Sequence, residues 1–194
     1  MTMSRACGRF VLAALMGFAI GVHEPALVAS SPSSHLRVAD PQVAALVANG
    51  VAESATFAGI VSQLESAPLL VFVRCRTRDQ QTASAAGLGF LANTPTYRYV
   101  RIFIRCDLPT VVQAPLLAHE FQHALEVSNA PEIVDAATLR LHYQRIGYRS
   151  NADDRMQSFD TSAAIDVQRR VTIELGRTHP HTVARIAIEP HSWQ

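Results

Sequence analysis

Three side chains near the middle of the chain stand at a spacing that does chemistry. They are His119, Glu120 and His123, in the run Leu116-Leu-Ala-His-Glu-Phe-Gln-His-Ala-Leu-Glu126. On a helix, residues four apart project from one face a turn apart, so the two imidazoles can grip a single cation. Glu120 follows the first ring and reaches beside such an ion without ligating it. From there it can take a proton from water and pass it to a leaving group. With eight His and eight Glu in the chain, chance would produce this pattern about 0.01 times. The flanking Leu116, Leu117, Phe121, Ala124, Leu125 and Val127 predict a largely buried helix. Rings and carboxylates buried there without partners would cost several kcal/mol, and a cation supplies the partner.

The pattern is the H-E-x-x-H of zinc metallopeptidases, and through His119, Glu120 and His123 the chain resembles the zincins. That resemblance implies one Zn2+ ion held by both imidazoles, with Glu120 as the catalytic base and acid. The glycine and third histidine of the metzincin extension are absent: Glu126 stands at the glycine place and Asn129 where the third ligand would be. The departure points to a gluzincin-like or aspzincin-like arrangement, in which a later carboxylate completes the site.

Four carboxylates compete for that third place. Glu126 lies three residues past His123, and a straight helix does not easily bring i, i+4 and i+7 onto one ion. It is read as a partner that holds a histidine tautomer, or as a simple salt bridge. Glu132 and Asp135 open the following segment, where acidic groups also suit a helix N-terminus. Asp160, followed by Ala163 and Ala164, matches the gluzincin habit of a carboxylate on a later helix beside small residues; its other reading is an N-cap. Asp160 is chosen, with Asp135 second. Tyr143, Tyr148 and His142 could stabilise an oxyanion, and His179, His181 and His191 could form a second metal site. All six also read as ordinary core or surface residues, and none is assigned a role.

These residues need elements to position them. Val43–Val47 predicts a short helix stopped near Gly50, and Ser54 caps a second through Leu64, with Phe57, Ile60, Val61 and Leu64 on one buried face. Leu69–Cys75 reads as a strand. Residues 79–96 read as an irregular connection rich in Thr, Ala, Gly, Asn and Pro. Tyr97–Cys106 alternates strictly, with Val100, Ile102 and Ile104 facing a core. Thr110 and Gln113 have capping-box spacing for the histidine helix, which is expected to reach about Val127 with Pro115 near its first turn. Pro131 suits N1 of a helix to Ile146, closed by Gly147. A polar loop leads to a last helix from about Asp160 to Leu175, and Val183–Ile188 is strand-like. Helices, then sheet, then helices reads as α+β, with a small antiparallel or mixed sheet against the histidine helix and two helices after it.

The 194 residues suffice for one domain, and 48% hydrophobic with 17% charged residues excludes a disordered chain. Every cation is Arg, and the net charge of +1 leaves no electrostatic footprint for nucleic acid or anionic membrane, so no nucleic-acid partner is expected. Arg5 and Arg9 precede the apolar run Phe10–Val22, and small residues follow at Ala29-Ser30-Ser31. These are the parts of a secretory signal over residues 1–30, in a run shorter than the roughly 20 residues a bilayer takes. An uncleaved anchor is the other reading. Residues 31–194 then form a single metal-binding domain, exported to a periplasm or beyond, with no membrane contact past the signal. Cys7 leaves with the signal, and Cys75 and Cys106 remain as an even pair that an oxidising compartment permits to bridge. The expected function is a zinc-dependent hydrolase acting on peptide or protein. The alternative is a non-catalytic scaffold or binding protein with a structural metal.

Overall fold

Alternation in the strongest strand pattern sets the frame. In the computed structural model, which describes residues 34–77, 84–149 and 159–178, Val100, Ile102 and Ile104 are fully buried on a strand from Arg98 to Arg105. That strand is β4 in chain order. Before it come β1 (Leu36–Val38), α1 (Pro41–Glu53), α2 (Ala55–Ser66), β2 (Leu69–Arg76) and β3 (Ala86–Asn93). After it come α3 (Thr110–Asn129), α4 (Ala136–Ile146), the two-residue strands β5 (Tyr148–Arg149) and β6 (Phe159–Asp160), and α5 (Ser162–Thr178). The main sheet has order β1-β2-β4-β3 and is mixed: β1, β2 and β4 are parallel, and β3 runs antiparallel to β4 at the edge. The architecture is α+β. No single described helix is long and apolar enough to cross a membrane. The expected signal segment and the strand-like run Val183–Ile188 lie outside the described residues.

One face of the sheet is the core. Leu69, Val71 and Val73 of β2 join Val100, Ile102 and Ile104 of β4 and the buried faces of α1, α2, α3 and α5 in one apolar cluster. Ser54 turns the chain between α1 and α2, and its hydroxyl accepts from Phe57 N at 3.0 Å, as its N-cap reading expects. Glu174 of α5 clamps that turn, accepting from Ser54 Oγ at 2.5 Å and Thr56 Oγ1 at 2.6 Å. Cys75 and Cys106, at the ends of adjacent strands, form a disulfide with Cα atoms 5.6 Å apart.

Several boundaries depart from expectation. Helix α1 does not stop at Gly50, because the residue is buried there against Phe57, whose ring a Cβ would meet at 2.9 Å. Residues 86–93, expected as irregular, form β3. Its glycines hid it: a Cβ on Gly87 would lie 2.6 Å from the Phe103 ring on β4, so tertiary contact overrides poor strand propensity. Residues 36–38 add a short first strand that pairs with β2. The Thr110/Gln113 capping box does not form; Pro109 precedes the first turn, and Gln113 donates instead to the carbonyls of Cys106 and Leu108. Pro115 therefore sits in the second turn of α3. Helix α4 begins at Ala136, not Pro131, behind a capping box of Asp135 and Thr138. Helix α5 begins at Ser162, with Thr161 Oγ1 accepting from Ala164 N at 3.2 Å; Asp160 precedes it on β6.

Candidate metal centre

Helix α3 crosses the core buried on nearly every side, so the helical spacing of its histidines becomes a fixed geometry. His119 and His123 are 7% and 5% exposed, and their Nε2 atoms lie 3.0 Å apart. Asp160 arrives from outside the helix, with Oδ1 3.1 Å from His119 Nε2. One ligand atom from each of the three residues lies within 4.8 Å of the others. Zn–N bonds of 2.0–2.1 Å in a tetrahedron place neighbouring ligand atoms about 3.3 Å apart. The two closest separations here approach that figure, and two nitrogens with one oxygen suit zinc. Without a cation, His119 Nε2, His123 Nε2 and Asp160 Oδ1 are left to hydrogen-bond with one another at this point. The residues present fit the metal.

Outer contacts set the rings. His123 Nδ1 lies 2.7 Å from Glu126 Oε2, which directs the protonated nitrogen to the carboxylate and leaves Nε2 as a lone pair toward Asp160 and His119. The other oxygen of Glu126 accepts from Thr161 Oγ1 at 2.6 Å, beside Asp160 in the chain. Tyr143 OH donates to the His123 carbonyl at 3.0 Å. His119 Nδ1 is buried without a hydrogen-bond partner.

The local field favours positive charge. Burial pushes the His119 imidazole down, but its contact with Asp160 and the nearby Glu120 outweigh that and hold it above its ordinary value. Burial raises Glu120, and the two imidazoles only partly oppose it. Burial also acts to raise Glu126, yet hydrogen bonds from His123 and Thr161 win and hold it below the usual carboxylate range. Burial raises the Tyr143 phenol, so it stays a neutral donor.

Beside these residues a groove of about 910 Å³ opens. Its floor is His119, Glu120 and His123, and its walls come from residues 84–88 along β3, from Leu139, Arg140 and Tyr143 of α4, and from Ile165, Gln168 and Ile173 of α5. Edge strand β3 thus borders the site, a wall that its glycines concealed from sequence reasoning. Gln168 and Thr161 were also missed. Gln168 follows buried Ala164 by one helical turn, the periodicity that could have found it.

The remaining candidates separate. Asp135 is spent as the α4 cap, with its carboxylate accepting from Thr138 N at 2.8 Å. Glu132 pairs with Arg145 at 2.5 Å and His142 at 3.1 Å. Glu126 acts on His123 from the far side of the ring. Tyr148 is 49% exposed. Asp160 meets the histidines from a short strand rather than a helix, and Ala163 is exposed, so only Ala164 serves the close packing expected of the pair. His179, His181 and His191 lie outside the described residues. No family model, curated protein or solved structure matches the chain.

Proposed function

We propose that the chain is an exported, zincin-like zinc hydrolase acting on peptides. The observation that carries this reading is the convergence of His119, His123 and Asp160 at the floor of an open groove, with Glu120 buried beside them. His119, His123 and Asp160 would hold the ion. When bound, zinc supplies a Lewis acid for a carbonyl oxygen and an acidified water. Glu120 takes and returns the proton, and its burial raises its proton affinity above that of an ordinary carboxylate. Glu126 keeps the His123 lone pair aimed at the ion. Edge strand β3, which among the described residues pairs only with β4, offers a backbone edge to which an extended peptide can add as a further strand. An open groove at the ligands supports catalysis over a structural metal, whose site would be closed. The Cys75–Cys106 bridge supports an oxidising compartment.

The test is Glu120→Gln against His123→Ala. The first is expected to keep bound zinc, measured by elemental analysis, and to abolish peptide hydrolysis; the second is expected to lose zinc. Hydrolysis undiminished in Glu120→Gln would remove Glu120 from the mechanism, and metal-free wild-type protein would remove the zinc reading altogether.

A further inference from the structure

A net charge of +1 conceals how the charge is distributed. The positions of β1, β2 and β4 that alternate with the buried ones form the other face of the sheet, and cross-strand register puts Arg on that face again and again. Arg37 pairs with Phe72, Phe72 with Arg101, Arg74 with Phe103, and Arg76 with Arg105. No Asp or Glu occurs in these three strands. Glycine lies across from both Phe103 and Arg101, as Gly87 and Gly89 of β3. Neither Phe72, Tyr99 nor Phe103 belongs to the core cluster. Arg105 is neutralised by Asp107 at 2.7 Å, but Arg74, Arg76 and Arg101 make no ion pair among the described residues. Cations therefore alternate with aromatic rings across the ladder, and only Arg76 and Arg105 stand directly opposite one another.

The aromatic rings tell which anion. The Arg76 guanidinium lies 4.1 Å above the centre of the Phe103 ring, so a ring face points outward with a cation stacked on it. Strands about 4.8 Å apart and same-face residues about 7 Å apart along a strand space the guanidinium groups like phosphates along an extended chain. A planar base stacks on a ring or a guanidinium; a lipid surface would require the rings to project beyond the cations, whereas here the cation is outermost. We infer that the arginine face of the sheet binds single-stranded nucleic acid, its phosphates on Arg37, Arg74, Arg76 and Arg101 and its bases stacked on Phe72, on Tyr99 and on the guanidinium that covers Phe103. None of these arginines lines the groove beside the histidines, although Phe103 borders both.

Binding is measured by fluorescence anisotropy of a labelled oligothymidylate with the full chain. Four phosphate contacts predict a salt slope near −2.8, or about 50-fold weaker binding as salt rises from about 50 to 200 mM. Arg74→Gln with Arg101→Gln should halve that slope, leaving about a sevenfold change. Arg145→Gln with Arg177→Gln, equal in charge on the helices, should leave the slope unchanged. Tyr99→Leu should weaken binding about tenfold with the salt slope retained. An unchanged denaturant-unfolding midpoint in each variant reports that the fold is intact. Equal slopes for the two double variants would overturn the inference. So would equal binding to a duplex of the same length, or vesicles of phosphatidylglycerol and phosphatidylcholine bound as tightly as the oligonucleotide.

Discussion

Removing the Glu126 carboxylate is the sharpest test of how the proposed metal centre would be held. That group touches no ligand atom at the convergence point, yet it holds two parts of the site together. One oxygen fixes His123 through Nδ1 at 2.7 Å, and the other accepts from Thr161 at 2.6 Å, next to Asp160. In Glu126→Ala both partners lose a charge-assisted hydrogen bond in a buried place. The His123 ring is then free to rotate and to move its proton onto Nε2, the atom that must be a lone pair to bind metal. Outer partners of this kind are worth about 10–100-fold in metal affinity, or about 1.4–2.7 kcal/mol. The Ala variant should fall in the upper half of that range because two elements are released at once. Thr161→Val breaks only one of the two contacts and should cost tenfold or less, about 1.4 kcal/mol. Glu126→Gln should lie between, since an amide can accept from His123 while donating to Thr161. The assay is competition for zinc against a chromogenic chelator of known affinity, with denaturant unfolding of the metal-free proteins as the control for folding. Zinc affinity within twofold of wild type in Glu126→Ala would refute the reasoning, as would Thr161→Val costing more than the Ala variant.

Two further predictions concern stability. Burial alone would raise Glu174, but its bonds from Ser54 and Thr56 hold it below the ordinary 4.5. The unfolded chain therefore takes up the proton first as pH falls. The clamp's contribution is full above the ordinary carboxylate range and is lost as pH drops through the depressed folded value. Glu174→Gln should cost about 1–3 kcal/mol at neutral pH and flatten the acid limb of a stability–pH curve; an unchanged limb would show that Glu174 does not set it. Breaking the Cys75–Cys106 bridge by a double change to Ala frees a loop with a sequence separation of 31, for which loop closure predicts a loss of about 3.7 kcal/mol. A loss below about 1 kcal/mol in denaturant unfolding would show that the unfolded chain is already restrained there.

How far the residues announced the structure depends on whether their information was local. The helix pattern around His119 and His123, the Ser54 cap and the Val100, Ile102, Ile104 alternation were legible, because each is written within one turn or one strand. Asp160 was legible as a residue that meets the two histidines but not as a strand residue: the pairing of Tyr148 with Asp160 is set by a partner twelve residues away. Pro131 suits a helix start, but the Asp135–Thr138 capping box supplies two reciprocal hydrogen bonds four residues later and takes the boundary. Strand β3 was the largest omission. Alanine and glycine carry no strand signal, and what requires glycine at position 87 is the Phe103 ring across the ladder, a contact between residues sixteen apart. That same contact shapes the site. A side chain at position 87 would force the Phe103 ring aside, and Phe103 and Gly87 both line the groove beside the histidines. The missed strand and one wall of the groove are a single feature, so locating β3 is what shows open space beside His119 and His123.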